Sequence, residues 1–139
     1  MTKKSYFSKK IKMNKVSEIL SYITEVAPIH WQESYDNSGL LVGDANALVD
    51  KVLLTLDLTE QVIDEAIENS FHLVISHHPL IFKGIKKVNS EDFVGRRILS
   101  MLQTDVCYYA MHTNFDVMGM ADAAADKLSL EERKVLEVT

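Results

Sequence analysis

Residues Val52–Pro79 read VLLTLDLTEQVIDEAIENSFHLVISHHP, and this stretch decides the fold. Lys51 to Leu58 opens it as an apolar, buried strand. Thr59 stands where a hydroxyl caps a helix by accepting a backbone N–H of the first turn. The helix runs to Asn69, with Val62, Ala66 and Ile67 on an inward face and Glu60, Asp64, Glu65 and Glu68 on an outward one. His72 to Ser76 is a second apolar strand. Two buried strands joined through a helix imply parallel pairing by a crossover connection.

The same alternation continues on both sides. Downstream, Asp92 to Gln103 has the helical spacing, with Phe93, Ile98, Leu99 and Leu102 apolar. Asp105 to Met111 is a third strand, and Ala121 to Leu128 a further short helix. Upstream, Val16, Ile19, Leu20 and Ile23 mark a helix over Lys15 to Val26, which Ala27-Pro28 ends. A loop follows from Ile29 to about Gly43. It contains the turn cluster Asp36-Asn37-Ser38-Gly39 and a short strand at Leu40 to Val42. The expected fold is a three-layer α/β/α arrangement around a mainly parallel sheet. In such sheets ligands gather at the carboxyl ends of the strands.

Composition sets the limits. The chain has 139 residues, 47% hydrophobic and 25% charged, the profile of a globular protein with room for one core. No apolar run reaches the ~20 residues of a membrane span. The single cysteine, Cys107, excludes an internal disulfide and fits a reducing cytoplasm. The net charge of −5 is uneven: Met1 to Lys15 carries six lysines and no acid, and taking that +6 away leaves −11 for the rest. So acidic a body argues against a nucleic-acid groove. Residues 1–12 are expected to form a basic, flexible extension, with the α/β domain over 13–139.

Two clusters carry chemistry. Ser76-His77-His78-Pro79 places two imidazoles where a buried strand ends. Imidazole nitrogen suits zinc, iron, nickel or manganese. Adjacent strand residues point to opposite faces, so both rings serve one site only where the strand gives way to a loop. Pro79 keeps His78 extended. A pair of polar histidines at a strand end fits the same residues, but the topological position favours metal. His112-Thr113-Asn114-Phe115-Asp116 follows the third strand in the same way. Alone it reads as a turn in which Asn114 and Asp116 cap backbone amides. Beside His77 and His78 it reads as the other side of a metal site, in which a carboxylate bridges two cations. His30 and His72 lack an acidic or histidine partner at ligand spacing and are expected to be structural or exposed. Cys107 is expected to be a core thiol.

The stretches APIHWQESYDNSGLLVG (Ala27–Gly43), LTLDLTEQVIDEAIE (Leu54–Glu68), HLVISHHPLIFKG (His72–Gly84) and AMHTNFDV (Ala110–Val117) resemble the GTP cyclohydrolase 1 type 2 family, the NIF-three-like (DUF34) dinuclear-metal proteins. The resemblance runs from about Met13 to the end. It implies the NIF-three-like fold, two divalent transition-metal ions, and His77, His78 and Asp116 as ligands. By the same resemblance His112, Asn114, Asp36 and Asn37 support or line the site. It also implies a homo-oligomer, a ring-shaped hexamer in full-length relatives; the composition points to a cytoplasmic chain with no nucleic acid or membrane as partner. Tyr35 stands where the family often has tryptophan. Family members are longer, and their remaining ligands are a histidine and, four residues on, a glutamate. No His-x-x-x-Glu occurs here, so the chain matches an N-terminal half. The expected function is a metal-dependent hydrolase, cyclohydrolase-like, that acts through a metal-activated water. The alternatives are a non-enzymatic metal-binding or regulatory interaction protein, and an inactive truncated remnant.

Overall fold

The computed structural model describes residues 13–134, so the expected basic extension over residues 1–12 lies outside the described residues. A short strand β1 (Asn14–Lys15) leads into α1 (Val16–Val26) and a 3-10 turn at Ile29–Trp31. Strands β2 (Gly39–Val42), β3 (Leu48–Val49) and β4 (Val52–Thr55) follow. Then come α2 (Glu60–Glu68), β5 (Leu73–Ser76), α3 (Phe93–Gln103) and β6 (Cys107–Ala110). The last segment is helical throughout: α4 (Thr113–Phe115), a π-helical turn (Asp116–Met120) and α5 (Ala121–Lys127).

Caps and periodicity explain the helices. The Thr59 hydroxyl accepts the Val62 N–H, and the Asp92 carboxylate accepts the Gly95 N–H at 2.9 Å. Gly95 has no room for a side chain, because a Cβ there would lie 2.0 Å from the Asn89 carbonyl. On α2 the fully buried residues are Ile63 and Ala66, while Val62 and Ile67 are half-buried. This corrects the expected inward face, which omitted Ile63. On α3, Ile98 and Met101 are buried, whereas Phe93 and Leu102 are more than half exposed. Both helices turn a narrower stripe toward the sheet than their apolar residues would cover.

The four main strands lie in the order β2-β6-β5-β4. The β4–β5 and β5–β6 pairs are parallel, as the alternation predicts. β2 joins β6 antiparallel, which sequence reasoning did not show. β1 and β3 form a separate antiparallel ribbon. Side chains alternate across the sheet. Val74, Tyr108 and Ala110 pack with Ile63, Ala66, Ile98 and Met101 on one face. Leu73, Ile75, Cys107 and Tyr109 pack with Val16, Ile19, Leu20 and Ile23 of α1 on the other. These are the three expected layers.

β4 departs from expectation in length and burial. It spans four residues, and Leu54 and Leu56 are 73% and 60% exposed. The cause is position: β4 is the sheet's edge strand, and no helix among the described residues covers Leu54. No helix among them is long and apolar enough to cross a membrane either.

Candidate metal centre

β5 ends at Ser76 and β6 at Ala110, side by side in the parallel register. Backbone pairing carries on just past both ends. The His77 and His78 N–H groups donate to the carbonyls of Thr55 and Leu56, and the Met111 N–H to that of Ser76. Both motif segments therefore leave the same edge of the sheet, its carboxyl end.

Three imidazoles meet there. The His77 ring centroid lies 5.1 Å from those of His78 and His112, which are 5.8 Å from each other. One ring nitrogen from each of the three lies within 4.8 Å of the other two. In all three rings Nδ1 faces an oxygen acceptor. His77 Nδ1 is 3.0 Å from the Met111 carbonyl, His78 Nδ1 2.8 Å from Asp57 Oδ1, and His112 Nδ1 2.9 Å from Asp36 Oδ1. An Nδ1–H directed at an acceptor fixes the tautomer and leaves Nε2 as a lone-pair donor. Metal-binding histidines are oriented in this way.

Asp116 Oδ1 sits 3.4 Å from His77 Nε2, on a side chain that is 39% exposed. It begins the π-helical turn, a local irregularity that recurs at functional sites. With Nδ1 committed to a carbonyl, Nε2 is the ring nitrogen that His77 turns to Asp116. A donor set of imidazoles and a carboxylate suits a divalent transition metal.

The residues behind these donors divide sharply. The Asp36 side chain has no exposed surface. Its oxygens accept from the N–H groups of Asn37 and Thr113, the hydroxyls of Ser38 and Thr113, and the His112 ring. Burial alone would raise the Asp36 pKa. The hydrogen bonds from Thr113, His112 and Asn37 outweigh it and hold the carboxyl well below its ordinary range. Asn114 is fully buried; its Oδ1 accepts the His112 N–H at 3.0 Å and its Nδ2 donates to the Ala27 carbonyl at 2.9 Å. The Asn37 amide donates to the Ile81 carbonyl. Asp36, Asn37 and Asn114 thus brace the site from behind, whereas His112 stands within the imidazole cluster itself.

Sequence reasoning missed Asp57, which partners His78 from the strand end next door. The carboxyl-end rule was the signal that applied to it. His72 precedes β5 and so lies at the opposite sheet edge; contrary to expectation it has an acidic neighbour, with Nδ1 2.7 Å from Asp50 Oδ1. That contact is short but is not aligned as a hydrogen bond. His30 is exposed on the 3-10 turn, edge-on to Trp31.

Comparison with known proteins identifies the family. The curated GTP cyclohydrolase 1 type 2 homolog of Clostridium acetobutylicum is 37% identical over 124 residues, covering 88% of this chain and 46% of the relative. The homolog from Bacillus subtilis is 39% identical over 124 residues, 88% of this chain and 33% of its own. This chain therefore spans less than half the length of either. Among solved structures, a Bacillus cereus protein related to NIF3 superposes with a TM-score of 0.86 at 38% identity, over 92% of this chain and 36% of that one. Reduced HcgD from Methanocaldococcus jannaschii superposes with a TM-score of 0.82 at 29% identity, over 92% of this chain and 52% of that one. The model of the Duf34/NIF3 (NGG1p interacting factor 3) family matches residues 14–139, and the chain belongs to that family.

Proposed function

We propose that this chain binds a divalent transition-metal ion through His77, His78 and Asp116, with His112 as a further nitrogen donor, and supplies one side of a hydrolytic site. The observation that carries the proposal is the convergence of three imidazoles, each with Nδ1 held by an oxygen acceptor, beside the Asp116 carboxylate 3.4 Å from His77 Nε2. A bound ion supplies Lewis acidity and generates hydroxide near neutral pH.

The chain's own residues orient and hold. The Met111 carbonyl, Asp57 and Asp36 keep three rings turned toward one point, which reduces the reorganisation that binding demands. The resemblance implies a second ion, for which a histidine and a glutamate in the further length of the relatives would complete the donor set. The exposed Leu54 and Leu56 on the β4 edge support self-association of the chain, which light scattering at rising concentration would reveal.

Calorimetric titration with zinc, manganese and iron(II) tests the metal reading. Wild type should bind, and His77→Ala, His78→Ala and Asp116→Ala should each weaken binding. Variants that bind as well as wild type would place the site elsewhere. The hydrolytic reading follows the relatives' name: ring opening of GTP by the metal-loaded chain, read by ultraviolet absorbance and lost in His77→Ala, supports it. Full metal binding with no turnover leaves a metal-binding protein without that activity.

A further inference from the structure

β6 contains two adjacent tyrosines, Tyr108 and Tyr109, which are 0% and 1% exposed. As neighbours on a strand they point to opposite faces. Tyr109 enters the α1 layer, and its hydroxyl has no hydrogen-bond partner among the described residues. Tyr108 enters the α2/α3 layer beside Val74, and its hydroxyl reaches the turn that follows β5. There it lies 2.7 Å from the Ser76 hydroxyl, accepts the Leu80 N–H at 2.9 Å and lies 3.1 Å from the His78 carbonyl, to which it donates. The Ser76 hydroxyl is 2.7 Å from the same carbonyl.

We infer that Tyr108, with Ser76, is a positioning residue of the metal centre. Its hydroxyl clamps the backbone on both sides of Pro79 and thereby sets the direction of the two imidazoles that precede that proline. Pro79 has no N–H, so the Leu80 N–H is the first amide donor after His78, and Tyr108 takes it. The His78 carbonyl, on the other flank, receives the two hydroxyls. The backbone from Ser76 to Leu80 is thus tied to one buried phenol on the neighbouring strand. Neither hydroxyl is placed as a ligand; their effect reaches the ion through His77 and His78. This inference rests on the metal reading above, and groups that hold metal ligands in place typically matter ten- to a hundredfold in affinity.

The test is a cobalt(II) titration of the full chain, followed by visible absorption, with thermal melts in the presence and absence of zinc. Tyr108→Phe keeps the ring and removes the clamp. It should lower cobalt affinity by roughly tenfold to a hundredfold, change the ligand-field spectrum and shrink the zinc-induced rise in melting temperature. Ser76→Ala should move all three the same way by less, and it carries the test if Tyr108→Phe does not fold. Tyr109→Phe is the control: the same ring, strand and burial, with no hydrogen bond to the described residues to lose and no contact with the His-His-Pro turn, so affinity and spectrum should match wild type. Wild-type affinity and spectrum in Tyr108→Phe, or in Ser76→Ala should that variant alone fold, would overturn the inference while leaving the metal site intact. So would an equal loss in Tyr109→Phe. A wild-type chain that takes up no cobalt would instead remove the metal reading, and the inference with it.

Discussion

His78 and His112 face the same point, yet their supports differ. His112 is held by Asp36, whose side chain is fully enclosed and accepts hydrogen bonds from two amides, two hydroxyls and the ring. His78 is held by Asp57, a carboxylate 59% exposed with the ring itself 50% exposed. A buried carboxylate with all its partners in place is costly to disturb, because each group left without its acceptor stays unsolvated. An exposed pair exchanges its partner for water at little cost. One flank of the site is therefore preorganised as part of the fold, and the other keeps the freedom to adjust to what binds.

Breaking the buried flank should have the largest effect. Asp36→Ala leaves the Thr113 and Asn37 amides and the His112 ring without an acceptor, and should cost about 3 kcal/mol or more. Thermal denaturation should show a fall of roughly 10 °C; a change below a few degrees would mean the network contributes little. Asn114→Ala cuts the tie from the His112 amide to the Ala27 carbonyl and should cost about 2 kcal/mol, measured by urea unfolding.

Acid sharpens the same contrast. Asp36 titrates below its ordinary value in the folded chain, so the stability it contributes is complete above about pH 4 and is lost as pH falls from there through its folded value. Wild type should lose stability over that acidic window more steeply than Asp36→Asn. Parallel profiles for the two in urea unfolding at stepped pH would exclude Asp36 as the source.

The smallest effect belongs to the exposed flank. Asp57→Asn should change stability by no more than about 0.5 kcal/mol, while weakening metal binding less than His78→Ala does. If Asp57→Asn destabilises the chain as much as Asn114→Ala, the two flanks are alike and the contrast fails.

Much of this was legible in the chain itself. Apolar runs separated by amphipathic helices, with Thr59 at the cap of the first, specify β4, α2, β5, α3 and β6 in order, because periodicity and capping are local properties. The two clusters that flank the site are readable for a related reason: each follows a strand, and parallel strands end together. The antiparallel entry of β2 was not legible, since strand direction depends on how the loop before it returns to the sheet. Nor was the pairing of His112 with Asp36, which stand 76 residues apart. Asp57 looked like one more residue of an apolar strand until the strand proved to end at Thr55. The two tyrosines of β6 are identical in sequence terms. A period of two sends them to opposite layers, and only the layer beneath the His-His-Pro turn gives a phenol something to hold.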